Sequence, residues 1–110
     1  LDLRDDFILF HADALPPFKI GYFNPRGWLA YYVVGILFKK TYSAQSNAVY
    51  PDNNCNAELY CNDRFVELES LGPLATLPPG AEVKHIEKWD VIQGITSLPE
   101  QLQEALQELN

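Results

Sequence analysis

Hydrophobic and polar positions along this chain alternate in short runs that are separated by proline, glycine and asparagine. Runs of this length, rich in aromatic and β-branched residues, predict strands joined by turns rather than helices. The predicted strands cover residues 6–12, 18–23, 28–34, 36–40, 56–61, 65–71 and 82–92. The pattern therefore predicts a mainly β protein.

Three segments between or beyond these runs have their own signals. Asn24-Pro25-Arg26-Gly27 has proline and glycine where a type I turn favours them. Residues 41–54 have no period and predict a long loop, a kind of segment that often carries function. Ser97-Leu98-Pro99-Glu100 is a capping box with proline in the first turn, so we expect an amphipathic helix over residues 97–109. Its apolar stripe consists of Leu98, Leu102, Leu106 and Leu109.

Composition narrows the class of protein. At 110 residues the chain has the size of one domain, residues 1–110, and 47% hydrophobic residues suffice for a core. The formal charge of −7 would repel a phosphate backbone or an anionic bilayer, so neither nucleic acid nor membrane is an expected partner. No apolar run approaches the roughly 20 residues of a membrane span, and no signal-peptide layout opens the chain. By default we expect a cytoplasmic protein.

Cys55 and Cys61 are the only thiols. Because both fall in or beside one predicted strand, they should lie too far apart for a disulfide. Two cysteines without nearby histidines do not complete a four-ligand metal set, so we expect neither a metal site nor another cofactor.

Candidate chemistry lies in the strand FVELESL, residues 65–71. Side chains alternate along a strand, so Glu67 and Glu69 share one face while Val66 and Leu68 point towards a core. The preceding strand carries Glu58 on its polar side, and the turn residues Asn62-Asp63 predict an antiparallel hairpin between the two strands.

Two registers of this hairpin bring the apolar faces together. One places Glu58 opposite Glu67, and a register two residues longer places it opposite Glu69. Either way three carboxylates share one patch, although like charges across a ladder are destabilising, which favours a functional role. The alternative is an ordinary solvated face, with Arg64, Arg26 or Lys19 neutralising the acids.

A longer motif in this region resembles the C-terminal portion of galactose-mutarotase-like proteins, in particular an uncharacterised branch of that group. The resemblance covers about residues 7–92. The matching positions are Tyr50-Pro51-Asp52, Cys55, Glu58, Tyr60, Glu67-Leu68-Glu69, Leu71-Gly72-Pro73-Leu74, Leu77, Pro79-Gly80, His85, Glu87 and Trp89.

The resemblance implies an antiparallel β-sandwich over residues 7–92, part of a larger supersandwich of which this chain supplies the C-terminal half, with the short helix behind it. It also implies a sugar-facing concave sheet. The family's general base maps onto Glu69, with Glu67 as the alternative, and Glu58, Tyr60 and Arg64 are candidate ligand-binding residues.

An active site of this kind would make the chain an aldose 1-epimerase-like isomerase. The family's acid is a histidine that precedes the base. Of the two histidines here, we expect His85 to be a hydrogen-bonded core residue, and His11 lies near a predicted strand end, so neither is placed to be that acid.

Two other functions compete with sugar binding. Glycoside cleavage by Glu67 and Glu69 is disfavoured, because residues i and i+2 of one strand point the same way and cannot flank a bond. The other alternative is a non-catalytic structural module, which as a homo-oligomer would cover the open edge or apolar face of half a sandwich.

Overall fold

The computed structural model describes residues 2–3, 8–9 and 17–95, and this part of the chain is mainly β. It consists of two antiparallel three-stranded sheets and a short strand pair. The elements are β1 (Asp2–Leu3), β2 (Ile8–Leu9), β3 (Phe18–Tyr22), β4 (Trp28–Val33), β5 (Ile36–Tyr42), the helical turn α1 (Pro51–Asn54), β6 (Ala57–Cys61), β7 (Val66–Ser70) and β8 (Glu87–Ile92).

The predicted strands agree with this order, with differences at their ends. β5 continues two residues past the predicted end, to Tyr42, and residues 82–86 precede β8 without forming a strand. Of the predicted strand 6–12 only residues 8–9 are described, and the predicted helix 97–109 lies outside the described residues. No helix in the described ranges is long and apolar enough to cross a membrane.

The strands divide into the sheet β3-β6-β7 and the sheet β4-β5-β8. The predicted turn after β3 lies at Pro25 and Arg26, and it carries the chain from one sheet to the other. At its end the Tyr42 amide donates to the Gly27 carbonyl at 2.9 Å. Gly27 has φ +70°, and a Cβ there would lie 2.4 Å from the Tyr42 carbonyl oxygen, so only glycine fits this crossing.

Each sheet contains one tight hairpin. β4 and β5 are joined by Val34 and Gly35, which both have positive φ, as two-residue type I′ hairpins require. β6 and β7 are joined around Asn62, whose side-chain oxygen accepts hydrogen bonds from the amides of Arg64 at 2.8 Å and Phe65 at 2.9 Å. This confirms the hairpin that the Asn62-Asp63 pair predicts.

The two sheets pack against each other through a small apolar core. The buried residues Leu29 and Tyr42 of one sheet contact Ala57 of the other, and the half-buried Leu59 and Leu68 complete the cluster. These are the apolar faces of β6 and β7 expected from alternation. On the opposite face of the β4-β5-β8 sheet, Leu37 and Ile95 form a second buried cluster. The partly buried residues that pack against it are Trp28, Ala30, Tyr32 and Ile92.

A pair of buried asparagines fixes the start of β6 to the crossing between the sheets. The Asn24 amide donates to Asn56 Oδ1 at 2.6 Å, and Asn56 Nδ2 donates to the Asn24 carbonyl at 2.9 Å. Asn24 Nδ2 in turn donates to the Trp28 carbonyl at 2.6 Å. Because buried amides need such partners, these bonds hold the β3 end, the β6 start and the β4 start in one arrangement.

Candidate functional site

The outer face of the β3-β6-β7 sheet, which points away from the other sheet, brings the predicted acids together. Residues directly opposite one another in a ladder share a face. One row across the sheet is therefore Lys19, Tyr60 and Glu67, and the next is Gly21, Glu58 and Glu69. We call the five side chains Lys19, Glu58, Tyr60, Glu67 and Glu69 the carboxylate face.

The register of the β6–β7 hairpin is the longer of the two expected ones. Glu58 lies directly opposite Glu69, while Glu67 lies opposite Tyr60. The three carboxylates thus share one patch as predicted, but the close pair is Glu58 with Glu69, and Glu67 is the exposed outer member.

Lys19 is the cation that bridges the close pair. Its Nζ lies 3.3 Å from Glu58 Oε2 and 3.5 Å from Glu69 Oε1. The hydrogen bond to Glu58 and the charge of Glu69 raise the pKa of the Lys19 ammonium. The repulsion expected between the two acids is thereby relieved by one of the three cations that sequence reasoning considered.

Glu58 is buried although it lies on the outer face, with only 5% of its surface exposed. The strand opposite has Gly21 at this position, where a Cβ would lie 3.2 Å from Glu58 Cγ and 3.0 Å from Cys55 Sγ. Burial and a hydrogen bond with the Asp52 carboxyl raise the pKa of Glu58, and Lys19 opposes the shift. Of the acids on this face, Glu58 is therefore held in surroundings that favour its protonated form.

Asp52 reaches Glu58 from the turn α1, within the segment that the sequence predicts as a long loop. Asp52, Asn53 and Asn54 have φ of 51°, 60° and 67°, so the turn is left-handed. Aspartate and asparagine tolerate this conformation better than other residues with a side chain. The Cys55 amide donates to the Pro51 carbonyl at 2.9 Å and closes the turn. The sequence analysis did not predict that Asp52 belongs to the site. The run Asp52-Asn53-Asn54, which favours a left-handed turn, is the signal that could have indicated it.

Of the other predicted ligand-binding residues, Tyr60 lies on the central strand of this face, between Lys19 and Glu67, and Arg64 lies outside the face. Tyr60 is half-buried, and its ring is 5.9 Å from that of Phe65. Arg64 is exposed in the hairpin turn. The cation that lies between the carboxylates is Lys19, from a different strand.

A second polar cluster lies on the other face of β7 and joins the two sheets. Ser70 Oγ is 2.8 Å from His85 Nε2 and donates a hydrogen bond to Glu87 Oε2. Lys40 Nζ lies 3.5 Å from Glu87 Oε2 and donates to the Leu68 carbonyl at 2.7 Å. Since β5 and β8 belong to one sheet and β7 to the other, the cluster ties the sheets together at their edge.

His85 is therefore not the core residue that alternation predicts. It is exposed and lies before β8, where residues 82–86 form no strand, so the alternation used to place it does not apply there. The part of the prediction that holds is its hydrogen bond. Because Ser70 gives its one hydroxyl proton to Glu87, His85 must donate from Nε2.

Glu87 is the acceptor on which this second cluster converges. Burial alone would raise its pKa, but hydrogen bonds from Ser70 and Trp89 and the charge of Lys40 outweigh it and lower the pKa. Trp89 Nε1 donates to Glu87 Oε1 at 3.0 Å. The serine hydroxyl is thus a donor to a stable carboxylate, an arrangement that supports structure and does not activate a nucleophile.

Neither a disulfide nor a metal-binding group is found in the part of the chain that the structure describes. Cys55 and Cys61 are both free, as predicted, and burial raises the pKa of the Cys55 thiol. Within residues 2–3, 8–9 and 17–95, no group of three or more histidine, cysteine, aspartate or glutamate side chains is arranged to hold a metal ion.

Comparison of the chain with protein-family models, with curated proteins and with solved structures finds no match.

Proposed function

We propose that this chain is a carbohydrate-binding domain of galactose-mutarotase-like type, and that the carboxylate face is its sugar site. The observation that carries the proposal is the direct pairing of Glu58 with Glu69, bridged by Lys19 at 3.3 and 3.5 Å. An acceptor and a donor side by side match neighbouring sugar hydroxyls, each of which both donates and accepts.

The exposed fractions of these side chains decide which of them a ligand would meet. The Lys19 side chain is 52% exposed and that of Glu69 35%, whereas that of Glu58 is only 6% exposed. Glu58 therefore supports Lys19 from behind, and Lys19 and Glu69 form the contact surface. The half-buried Tyr60 ring beside them supplies an apolar area for the CH face of a sugar.

Two packed antiparallel sheets are compatible with the sandwich of that superfamily. In an epimerase-like reaction Glu69 would take the proton of the anomeric hydroxyl, and the electron pair left on that oxygen would form a double bond to the anomeric carbon as the bond from this carbon to the ring oxygen breaks. The ring oxygen would then receive a proton from solvent water. His85 bonds to Ser70, on the other face of β7, so it does not supply that proton.

Sugar binding is tested by titrating the isotope-labelled protein with monosaccharides such as galactose and glucose and recording amide shifts. We expect saturable shifts in β3, β6 and β7, and the Glu69→Gln variant should bind at least about tenfold more weakly, since it removes a charged acceptor. Glu82→Gln, the same change at an exposed glutamate between β7 and β8, is the matched control. Shifts elsewhere, or equal affinity in both variants, would refute the site.

Catalysis is tested separately by proton NMR of freshly dissolved α-galactose or α-glucose. Faster equilibration of the anomers with wild-type protein than in buffer, abolished by Glu69→Gln, would support a base at Glu69. Sugar binding without faster equilibration of the anomers would support a sugar-binding domain and contradict the isomerase activity.

A further inference from the structure

Strand β8 forms an open edge of its sheet. Among the described strands it pairs with β5 and with no other, so one side of its backbone has no partner there. On one face it exposes two apolar side chains, Trp89 and Val91, each 63% exposed. An open edge with exposed hydrophobic residues favours pairing with another strand.

We propose that β8 pairs with β8 of a second copy of this chain, antiparallel and centred on Trp89, to give a two-fold symmetric dimer. Centring on Trp89 places Lys88 opposite Asp90 of the second copy, and by symmetry Asp90 opposite Lys88 of the second copy. The two Trp89 rings then lie side by side on one face. Opposite charges and aromatic pairs across a ladder are both stabilising.

The charges of β8 favour this register over the two that are centred one residue away. Centring the pairing on Lys88 would place two lysines opposite each other, and centring it on Asp90 would place two aspartates opposite each other. Both alternatives are destabilised by like charges, whereas the register centred on Trp89 is self-complementary.

The surroundings of Asp90 provide a second argument. Its Oδ2 atom is buried and accepts no hydrogen bond among the described residues, although two lysines lie near Asp90: Lys88 Nζ of the same strand is 3.6 Å from this oxygen, and the buried Lys39 lies opposite Asp90 in the β5–β8 ladder. A buried carboxylate oxygen normally has a hydrogen-bond donor. The Lys88 ammonium of a second copy, directly across the new ladder, would supply one.

The other sheet edges do not match themselves in this way. If β7 paired with a second β7 centred on Leu68, Glu67 would lie opposite Glu69, and the Leu68 carbonyl already accepts a hydrogen bond from Lys40. β4 lies in contact with β7 of the other sheet. β3 centred on Ile20 would place Lys19 opposite Gly21, without a charge pair. Of these edges, β8 is the one whose sequence specifies a partner and a register.

The test measures oligomeric state by light scattering and sedimentation across the micromolar range. We expect a concentration-dependent dimer for the wild type. Lys88→Glu turns both charge pairs into repulsions, so the dimer should dissociate about tenfold or more readily, with part of the loss recovered in high salt. The Lys88 side chain is 67% exposed, so this change should leave the fold intact.

Lys84→Glu makes the same charge change at an exposed residue outside β8 and should leave the dimer unchanged. Lys88→Gln, which removes the attraction without adding repulsion, should lie between wild type and Lys88→Glu. A wild-type monomer at all concentrations would overturn the proposal, and so would a dimer that responds equally to Lys84→Glu and Lys88→Glu. Sugar titration is independent of both results, because the carboxylate face lies on the other sheet.

Discussion

At the scale of single residues, neighbours decide the properties of chemically identical side chains. Glu58 and Glu87 are both glutamates on strands, yet burial and Asp52 raise the pKa of one, while Ser70, Trp89 and Lys40 overcome burial and lower the pKa of the other. The first is held near another acid, and the second is surrounded by donors.

The two glutamates should therefore affect stability in opposite directions as pH changes. Glu58 has a raised folded pKa, so its contribution is fully present below its ordinary value of 4.5 and is lost as pH rises through the folded pKa. Glu87 has a lowered folded pKa, so its contribution is present above 4.5 and is lost as pH falls through the folded pKa.

Urea midpoints measured as a function of pH check both signs. Glu58→Gln should flatten the profile on the alkaline side of pH 4.5, and Glu87→Gln should flatten it on the acid side. If each variant showed the effect expected of the other, or if neither changed the pH profile of stability, the surroundings assigned to Glu58 and Glu87 would be wrong.

Gly27 shows a backbone requirement at the same scale. It has φ +70°, and a Cβ would lie 2.4 Å from the Tyr42 carbonyl oxygen, whereas Gly80 has φ +85° with no atom within 4 Å of a built Cβ. Gly80→Ala should cost about 1–2 kcal/mol, the cost of the left-handed conformation alone. Gly27→Ala should cost clearly more in urea unfolding, because the clash adds to the same conformational cost. Equal losses of stability in the two variants would show that the turn between the sheets moves enough to remove the clash.

At the scale of elements, the β4–β5 hairpin contains a residue poorly suited to its turn. Val34 has φ 46° and is 89% exposed, so a β-branched side chain adopts a left-handed conformation without contributing to a core. Asn-Gly is the pair that two-residue hairpins favour. Val34→Asn should therefore stabilise the protein by about 1 kcal/mol in urea unfolding.

Val33→Asn is the control for that change, because Val33 belongs to β4 and is also exposed, at 43%. Asparagine is unfavourable in a strand, so this variant should be neutral or destabilised. If both variants gained stability, removal of exposed apolar surface would explain the effect and the turn would not.

At the scale of the whole molecule, the two sheets depend on a small shared core. Leu29 is 6% exposed and contacts the other sheet, so Leu29→Ala should destabilise the protein by about 2–5 kcal/mol. Leu74→Ala, at a residue that is 61% exposed, should change stability by about 0.5 kcal/mol or less. Calorimetric or urea unfolding of the two variants measures the difference, and similar values would mean that the sheets do not share a core.

Local patterns were enough to predict most of the strands and the β6–β7 hairpin. Alternation placed Glu67 and Glu69 on one face, and Asn62 marked the turn correctly. Where alternation was extended beyond the true strand, as at His85, it failed, because residues 82–86 form no strand and their side chains do not alternate about a sheet.

The sequence by itself determined the mainly β character, the β6–β7 hairpin and the shared face of the three glutamates, because alternation and turn preferences act over a few neighbouring residues. Only the tertiary structure decided which acids are close, that Lys19 bridges them and that Glu58 is buried beneath a left-handed turn. These features depend on strands distant in the chain: β3 supplies the cation, β6 and β7 the acids, and their pairing follows from how the sheets bury their apolar faces.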